Sequence, residues 1–196
     1  MLCLTKNNLA WIKIAKNACS SWQDALLNDG WSVENLSDYQ GRWHEKTWFG
    51  FLREPHTRHT MGIVQFLHDN HLLQILDHPE YSKIVCSLLF DEHTYSIHHM
   101  IPYELIQITN WFVMDHNYFN YETLVRKFCQ QHGINIPPIA RLNQSSELEN
   151  FYKLKVKNIK ENNFDITSRA MKNYLERDTF LYAQVVQNQH KYDIYP

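Results

Sequence analysis

Apolar positions along this chain fall into short blocks of two alternating kinds. The run LAWIKIA predicts a first strand over Leu9–Ala15. A polar loop, Lys16 to Ser20, follows it. Trp22, Ala25, Leu26 and Leu27 then recur at helical spacing, with Ser20 or Ser21 placed to cap that helix and Gly30 to end it. Residues 31–45 are polar and turn-rich. The run KTWFGFL predicts a second strand over Lys46–Leu52, closed by Arg53, Glu54 and Pro55. A helix with Pro55 in its first turn carries Met61, Val64, Gln65 and Leu67 towards His71. Residues 72–90 are apolar and helical in pattern, and Asp91 to His99 is a polar, histidine-rich loop. Leu105 to Met114 predicts a third strand, and Tyr121 to His132 an amphipathic helix that stops at Gly133. Residues 134–138 form an extended connector, Arg141 to Ser146 a polar loop, and the remainder one or two helices. Strands alternating with helices predict an α/β fold.

Bulk properties narrow the picture. At 196 residues, with 44% hydrophobic and 20% charged residues, one domain with a sizeable core is expected over 1–196. A net charge of −2 argues against a general nucleic-acid binder. No apolar run approaches the roughly 18 residues needed to span a bilayer. The first residues lack the apolar core of a signal peptide, so a cytoplasmic location is expected. Cys3, Cys19, Cys86 and Cys129 form no CxxC pair, which excludes a zinc ribbon and a dithiol redox motif. His56/His59 and His68/His71 have a spacing that could bind metal on a helix, but no HExxH or third ligand accompanies them. They are read as surface histidines, and Trp31, Trp43, Trp48 and Trp111 as packing residues.

Candidate chemistry begins at the first strand's end. A strand, a short loop with lysine and hydroxyls, then a helix is a phosphate-holding arrangement. The first N–H groups of a helix lack helical partners, and its dipole favours an anion. Lys16 supplies charge, Ser20 and Ser21 supply donors, and Ala18 is small enough for close approach. No glycine lies between Leu2 and Asp29, so the Walker form GxxxxGK[ST] is missing and a nucleoside-triphosphatase is disfavoured. At the second strand's end stands Arg53. Ligands of open α/β sheets sit beyond the carboxyl ends of strands, and arginine grips phosphate with two parallel hydrogen bonds.

The segment IAKNACSSW, Ile14–Trp22, resembles the 5′-phosphosulfate-binding loop of sulfotransferases that use 3′-phosphoadenosine 5′-phosphosulfate (PAPS). It is most like the loop of carbohydrate sulfotransferases, roughly P-K-V-A-[CS]-[TS]-[NS]-W, with Ala15 in place of proline and Asn17 in place of valine. The segment FGFLREPHTR, Phe49–Arg58, resembles the family's 3′-phosphate site, F-[VL]-R-[DN]-P-x-x-R. The family's serine eight residues after this arginine is Met61 here, with the hydroxyl of Thr60 one residue earlier. Arg58 is read as a solvated helix charge. Four further segments are similar to family elements, among them Asn120–Leu124, which resembles an E-x-L helix start after a central strand. Asp91-Glu92-His93 matches D-x-H-W with Thr94 replacing tryptophan. Pro138–Ser145, containing Arg141, matches a late L-P-x-x-N-x-S loop. Tyr174–Tyr182 matches a closing Y-x-x-D-x-x-L-[FY] helix.

The resemblance implies a P-loop-like three-layer sandwich with a central parallel sheet flanked by helices. It implies PAPS as donor and 3′-phosphoadenosine 5′-phosphate (PAP) as product. Lys16, Asn17, Ala18, Cys19, Ser20, Ser21, Trp22, Arg53, Thr60, Met61 and Arg141 would bind the cofactor, without a metal. Lys16 would neutralise the leaving phosphate, and His44, Glu45 or His93 would take the proton from a hydroxyl or amine of a carbohydrate or small-molecule acceptor. A small P-loop-type kinase and a non-catalytic nucleotide-binding module remain alternatives.

Overall fold

The computed structural model describes residues 1–17, 19–114, 121–137, 139 and 146–193. They form two compact units. The first comprises Met1–Arg53, Ile101–Asn143 and Tyr182–Pro196, and the second Glu54–Met100 and Gln144–Leu181.

The first unit is built on a five-stranded mixed sheet. Strands β1 (Leu2–Lys6) and β2 (Leu9–Ile12) make an antiparallel hairpin with Lys6 opposite Leu9. Its two-residue turn needs a left-handed backbone, which Asn7 adopts at φ 54°. After helix α1 (Cys19–Asn28), β3 (Ser32–Asn35) pairs antiparallel with the other side of β1. Strand β4 (Thr47–Leu52) runs parallel to β2, and β5 (Asn110–Val113) parallel to β4, giving the order β3-β1-β2-β4-β5. The fold is therefore α/β with a parallel half and an antiparallel half.

Three sequence expectations change. The first strand stops at Ile12, and it has an N-terminal partner that the apolar pattern did not single out. The run 105–114 is a short helix followed by a strand, because Thr109 ends the helical turn by bonding back to Leu105. Helix α1 starts at Cys19, so Ser20 and Ser21 lie inside its first turn rather than capping it.

One face of this sheet carries Leu4, Leu9, Trp11, Phe49 and Phe51, the alternate positions of three strands. Trp22 and Leu26 of α1 and Val125 and Cys129 of a second helix, Tyr121–Gln131, cover it. Burying a large side chain of this kind contributes roughly 1.5–3 kcal/mol, so this cluster fixes the two strand ends discussed below. Gly50 makes room for the Trp111 ring, since a Cβ there would stand 2.6 Å from it and force the ring to shift.

The second unit is helical. Its α2 (Pro55–Asp69) opens with Pro55 at its first position, and the Glu54 carboxylate accepts from the N–H groups of His56 and Thr57 at 3.0 and 2.6 Å. Numbering the helices in chain order, α3 spans Pro79–Val85, α4 Ile97–Met100, α5 Tyr103–Ile108, α6 Tyr121–Gln131, α7 Glu147–Asn162 and α8 Phe164–Asp193. Ile63, Val64 and Leu67 of α2 pack with Val85, Cys86 and Val156 of α7. No helix among the described residues is long and apolar enough to cross a membrane.

Two residues expected at the surface are buried. Arg58 has no exposed surface and pairs with Asp178 at 3.7 Å. Asp178 also accepts from the Ile97 N–H at 2.7 Å and lies 2.8 Å from His98 Nδ1. His59 is equally buried, because α7 covers its face of α2. Burial, aided by the charges of Lys160, Arg58 and His56, holds its imidazole well below the ordinary value of 6.5 despite a bond to the Leu88 carbonyl. The folded protein therefore refuses a proton that the unfolded chain takes up below pH 6.5. Stability from this group is complete above that pH and falls on acidification by about 1.4 kcal/mol per pH unit. Urea titrations between pH 7 and 5 will show that slope in the wild type and a shallower one in His59→Gln.

Candidate functional site

The carboxyl ends of β2 and β4 are neighbours, since Ile12 pairs with Gly50 and the two strands run the same way. From β2 the chain goes through α1 to one edge of the sheet. From β4 it goes on towards β5 at the other edge. This divergence is the switch point at which open α/β sheets bind ligands.

The loop between β2 and α1 is shaped by two hydrogen bonds. The Asn17 N–H reaches the Ile14 carbonyl at 3.3 Å, closing a turn over Ala15 and Lys16. Asn17, 1% exposed, also donates from Nδ2 to the Phe51 carbonyl at 2.5 Å, tying the loop to β4 two residues before Arg53. Lys16 is left-handed, at φ 65°, in the turn position that favours glycine. A lysine there costs roughly 1–2 kcal/mol of backbone strain, the kind retained where a side chain has to be placed. Lys16 and Arg53 are both partly exposed.

The donor set at this edge suits a multiply charged anion. It comprises the Lys16 ammonium, the Arg53 guanidinium, the hydroxyls of Ser20 and Ser21, and the N–H groups of the first turn of α1, which no helical carbonyl reaches. Trp22 has a different role. Its ring is fully buried, 4.6 Å from the Phe51 ring, and its Nε1 donates to the Tyr121 hydroxyl at 3.3 Å. It anchors α1 beneath the loop. Ala18 and Arg141 lie outside the described residues.

The three candidate bases differ in their surroundings. In the first unit His44 is exposed on a 3-10 turn, and Glu45 is ion-paired with Arg42 at 3.0 Å. In the second unit His93 is oriented. Its Nδ1 lies 2.9 Å from Asp91 Oδ2, and Asp91 Oδ1 accepts its backbone N–H at 2.9 Å. A carboxylate on Nδ1 fixes the hydrogen there and leaves Nε2 as the proton acceptor.

Thr60 and Met61, also in the second unit, are partly buried, and the Thr60 hydroxyl accepts from Lys160 Nζ at 2.9 Å. Neither that lysine nor the Asn17 tie was singled out from the sequence. An amide side chain in a short strand-to-helix loop was the available signal for the latter. Among the described residues no group of three or more histidine, cysteine or acidic side chains is placed to hold a metal ion.

Compared with known proteins, the chain matches no family model, no curated protein and no solved structure.

Proposed function

We propose that this chain is a PAPS-dependent sulfotransferase built on a P-loop-like sheet, moving a sulfuryl group to a hydroxyl or amine of a carbohydrate or small-molecule acceptor. One observation carries the reading. The strained Lys16 turn is tied through Asn17 to the strand that ends in Arg53, at the switch point of the parallel strands. Two cationic residues at the carboxyl ends of adjacent parallel strands suit a ligand with two separate phosphate groups.

In this reading the acceptor oxygen attacks sulfur in line. The bond from sulfur to the bridging oxygen of the 5′-phosphate breaks, and charge collects on that oxygen. Lys16 neutralises it, a contribution of about 3–4 kcal/mol for a donor aimed at developing charge. Arg53 holds the 3′-phosphate through paired hydrogen bonds. The acceptor's proton passes to a base, for which His44, Glu45 and His93 are the candidates.

Calorimetry with PAP tests this. The wild type should bind with a Kd of about 1 μM or tighter, with or without magnesium. Lys16→Ala and Arg53→Ala should each weaken binding about 30- to 100-fold, the loss of a charged phosphate contact. A folded wild type that ignores PAP overturns the reading, and magnesium-dependent binding of ATP replaces it with phosphoryl transfer.

A further inference from the structure

Helix α7 carries two apolar faces. Tyr152, Val156 and Ile159 make the inner one, packed into the core of the second unit. Leu148, Phe151 and Leu154 make the other, and they are 57%, 58% and 58% exposed. At roughly 100° per residue, Phe151 stands about 100° round the helix from the middle of the inner face. A surface helix needs one apolar stripe, and a single exposed apolar residue is ordinary. Three of them at three-residue spacing make a continuous exposed strip along nearly two turns, which the packing of the second unit does not use.

Charges frame the strip unevenly. Glu147 precedes Phe151 by one helical turn and Lys155 follows it by one, both on the same side of the helix as its ring. Glu147 is exposed. Lys155 Nζ lies 5.9 Å from the centre of the Phe151 ring and is paired with Asp77. An ammonium has three hydrogens, so a second carboxylate can still bind it.

The strip is its own complement. Leu148 and Leu154 stand equally far from Phe151 on either side, and so do Glu147 and Lys155. A second copy laid antiparallel about a twofold axis at Phe151 sets ring on ring and Leu148 on Leu154 of that copy. Glu147 then meets Lys155 of the second copy, and symmetry makes each contact twice. A parallel arrangement sets carboxylate on carboxylate and ammonium on ammonium, so the order of charges selects the antiparallel one.

We propose that this outer face of α7 is a homodimer contact, seated on the same face of a second copy about a twofold axis at Phe151. The contact is one helix wide, below the roughly 1,200 Å² at which stable interfaces begin, so the dimer is weak, with a Kd of about 10–100 μM. It uses neither the Lys16 loop nor Arg53, and it stands or falls apart from sulfuryl transfer.

Sedimentation equilibrium of the full chain tests this, over concentrations that bracket that Kd. The wild type should fit a monomer–dimer equilibrium. Phe151→Glu sets two carboxylates together on the axis and should weaken the dimer at least about tenfold. Its site is exposed, so the far-UV circular dichroism should match the wild type. Glu147→Lys alone and Lys155→Glu alone each set like charges together at both ends of the strip, and each should weaken association about tenfold. Mixed in equal amounts, these two variants restore opposite charges at both ends and should dimerise with each other about as well as the wild type does. Any of three results overturns the proposal: a wild type still monomeric at about 1 mM, a dimer that folded Phe151→Glu leaves unchanged, or a mixture of the two charge variants that associates no better than either alone.

Discussion

Lys16→Gly is expected to be more stable than Lys16→Ala by about 1 kcal/mol, while both lose PAP. The two variants remove the same side chain and its charge, so every contact made by the lysine drops out of the comparison. What differs is the backbone. At φ 65° an alanine Cβ crowds the following carbonyl, whereas glycine adopts the conformation freely. Glycine gives back part of that gain through the greater freedom of the unfolded chain, which leaves about 1 kcal/mol, or roughly 2–4 °C in Tm for a chain of this size. Thermal melts of the two purified variants, with PAP calorimetry on the same samples, make the measurement. Equal melting temperatures would mean that the loop is not held left-handed at residue 16. Retained binding in either variant would remove Lys16 from the anion site. A position where the best residue for stability and the best residue for binding differ is what a functional loop predicts and an ordinary turn does not.

That loop was legible in the sequence because its outline is local, although its Asn17 tie to Phe51 is not. A strand, a turn and a helix start fall within a dozen residues, and each has its own signal. Arg53 was legible for the same reason, standing between an apolar run and Pro55. The hairpin partner β1 was harder, because its turn is Asn7-Asn8 rather than the stronger Asn-Gly, and its side chains give only a weak alternation. The run 105–114 contains apolar residues that suit a helix or a strand, and short runs of that kind do not declare their period. Least legible were the buried charges. Arg58 meets Asp178, and His59 meets Lys160 101 residues away, because helices from distant parts of the chain pack there. Each of these side chains alone reads as a solvated helix residue, which is why Arg58 and His59 were expected at the surface. Burial of a charge is a property of the pair, and nothing in one helix announces its partner.

Gly62→Ala is expected to destabilise the second unit by about 3 kcal/mol, against the sign that helix propensity gives. Gly62 lies inside α2, where alanine is better than glycine by about 1 kcal/mol. An added Cβ would overlap the His93 carbonyl oxygen, stand 2.7 Å from its carbonyl carbon and lie 3.1 Å from Thr94 Cγ2. The obstacle is backbone, so no side-chain rotation relieves it. Nor can the segment 91–95 easily withdraw. The N–H groups of Thr94 and Tyr95 bond to the Asp91 carbonyl at 3.0 and 2.9 Å, and the buried Thr94 hydroxyl accepts from the Phe90 N–H at 2.7 Å. The Tyr95 carbonyl is held by the Arg58 guanidinium. Overpacking of this kind costs about 1–3 kcal/mol, and loosening the buried Arg58–Asp178 pair about 3–5 more if the segment moves far. Either route exceeds the propensity gain. Urea unfolding of Gly62→Ala supplies the sign. A stabilised variant would mean that α2 is free on this face and that nothing holds His93 in place beyond its own Asp91. A destabilised one, with the His93 imidazole resonances displaced in the NMR spectrum, would mean that the helix and the histidine segment are one packed unit.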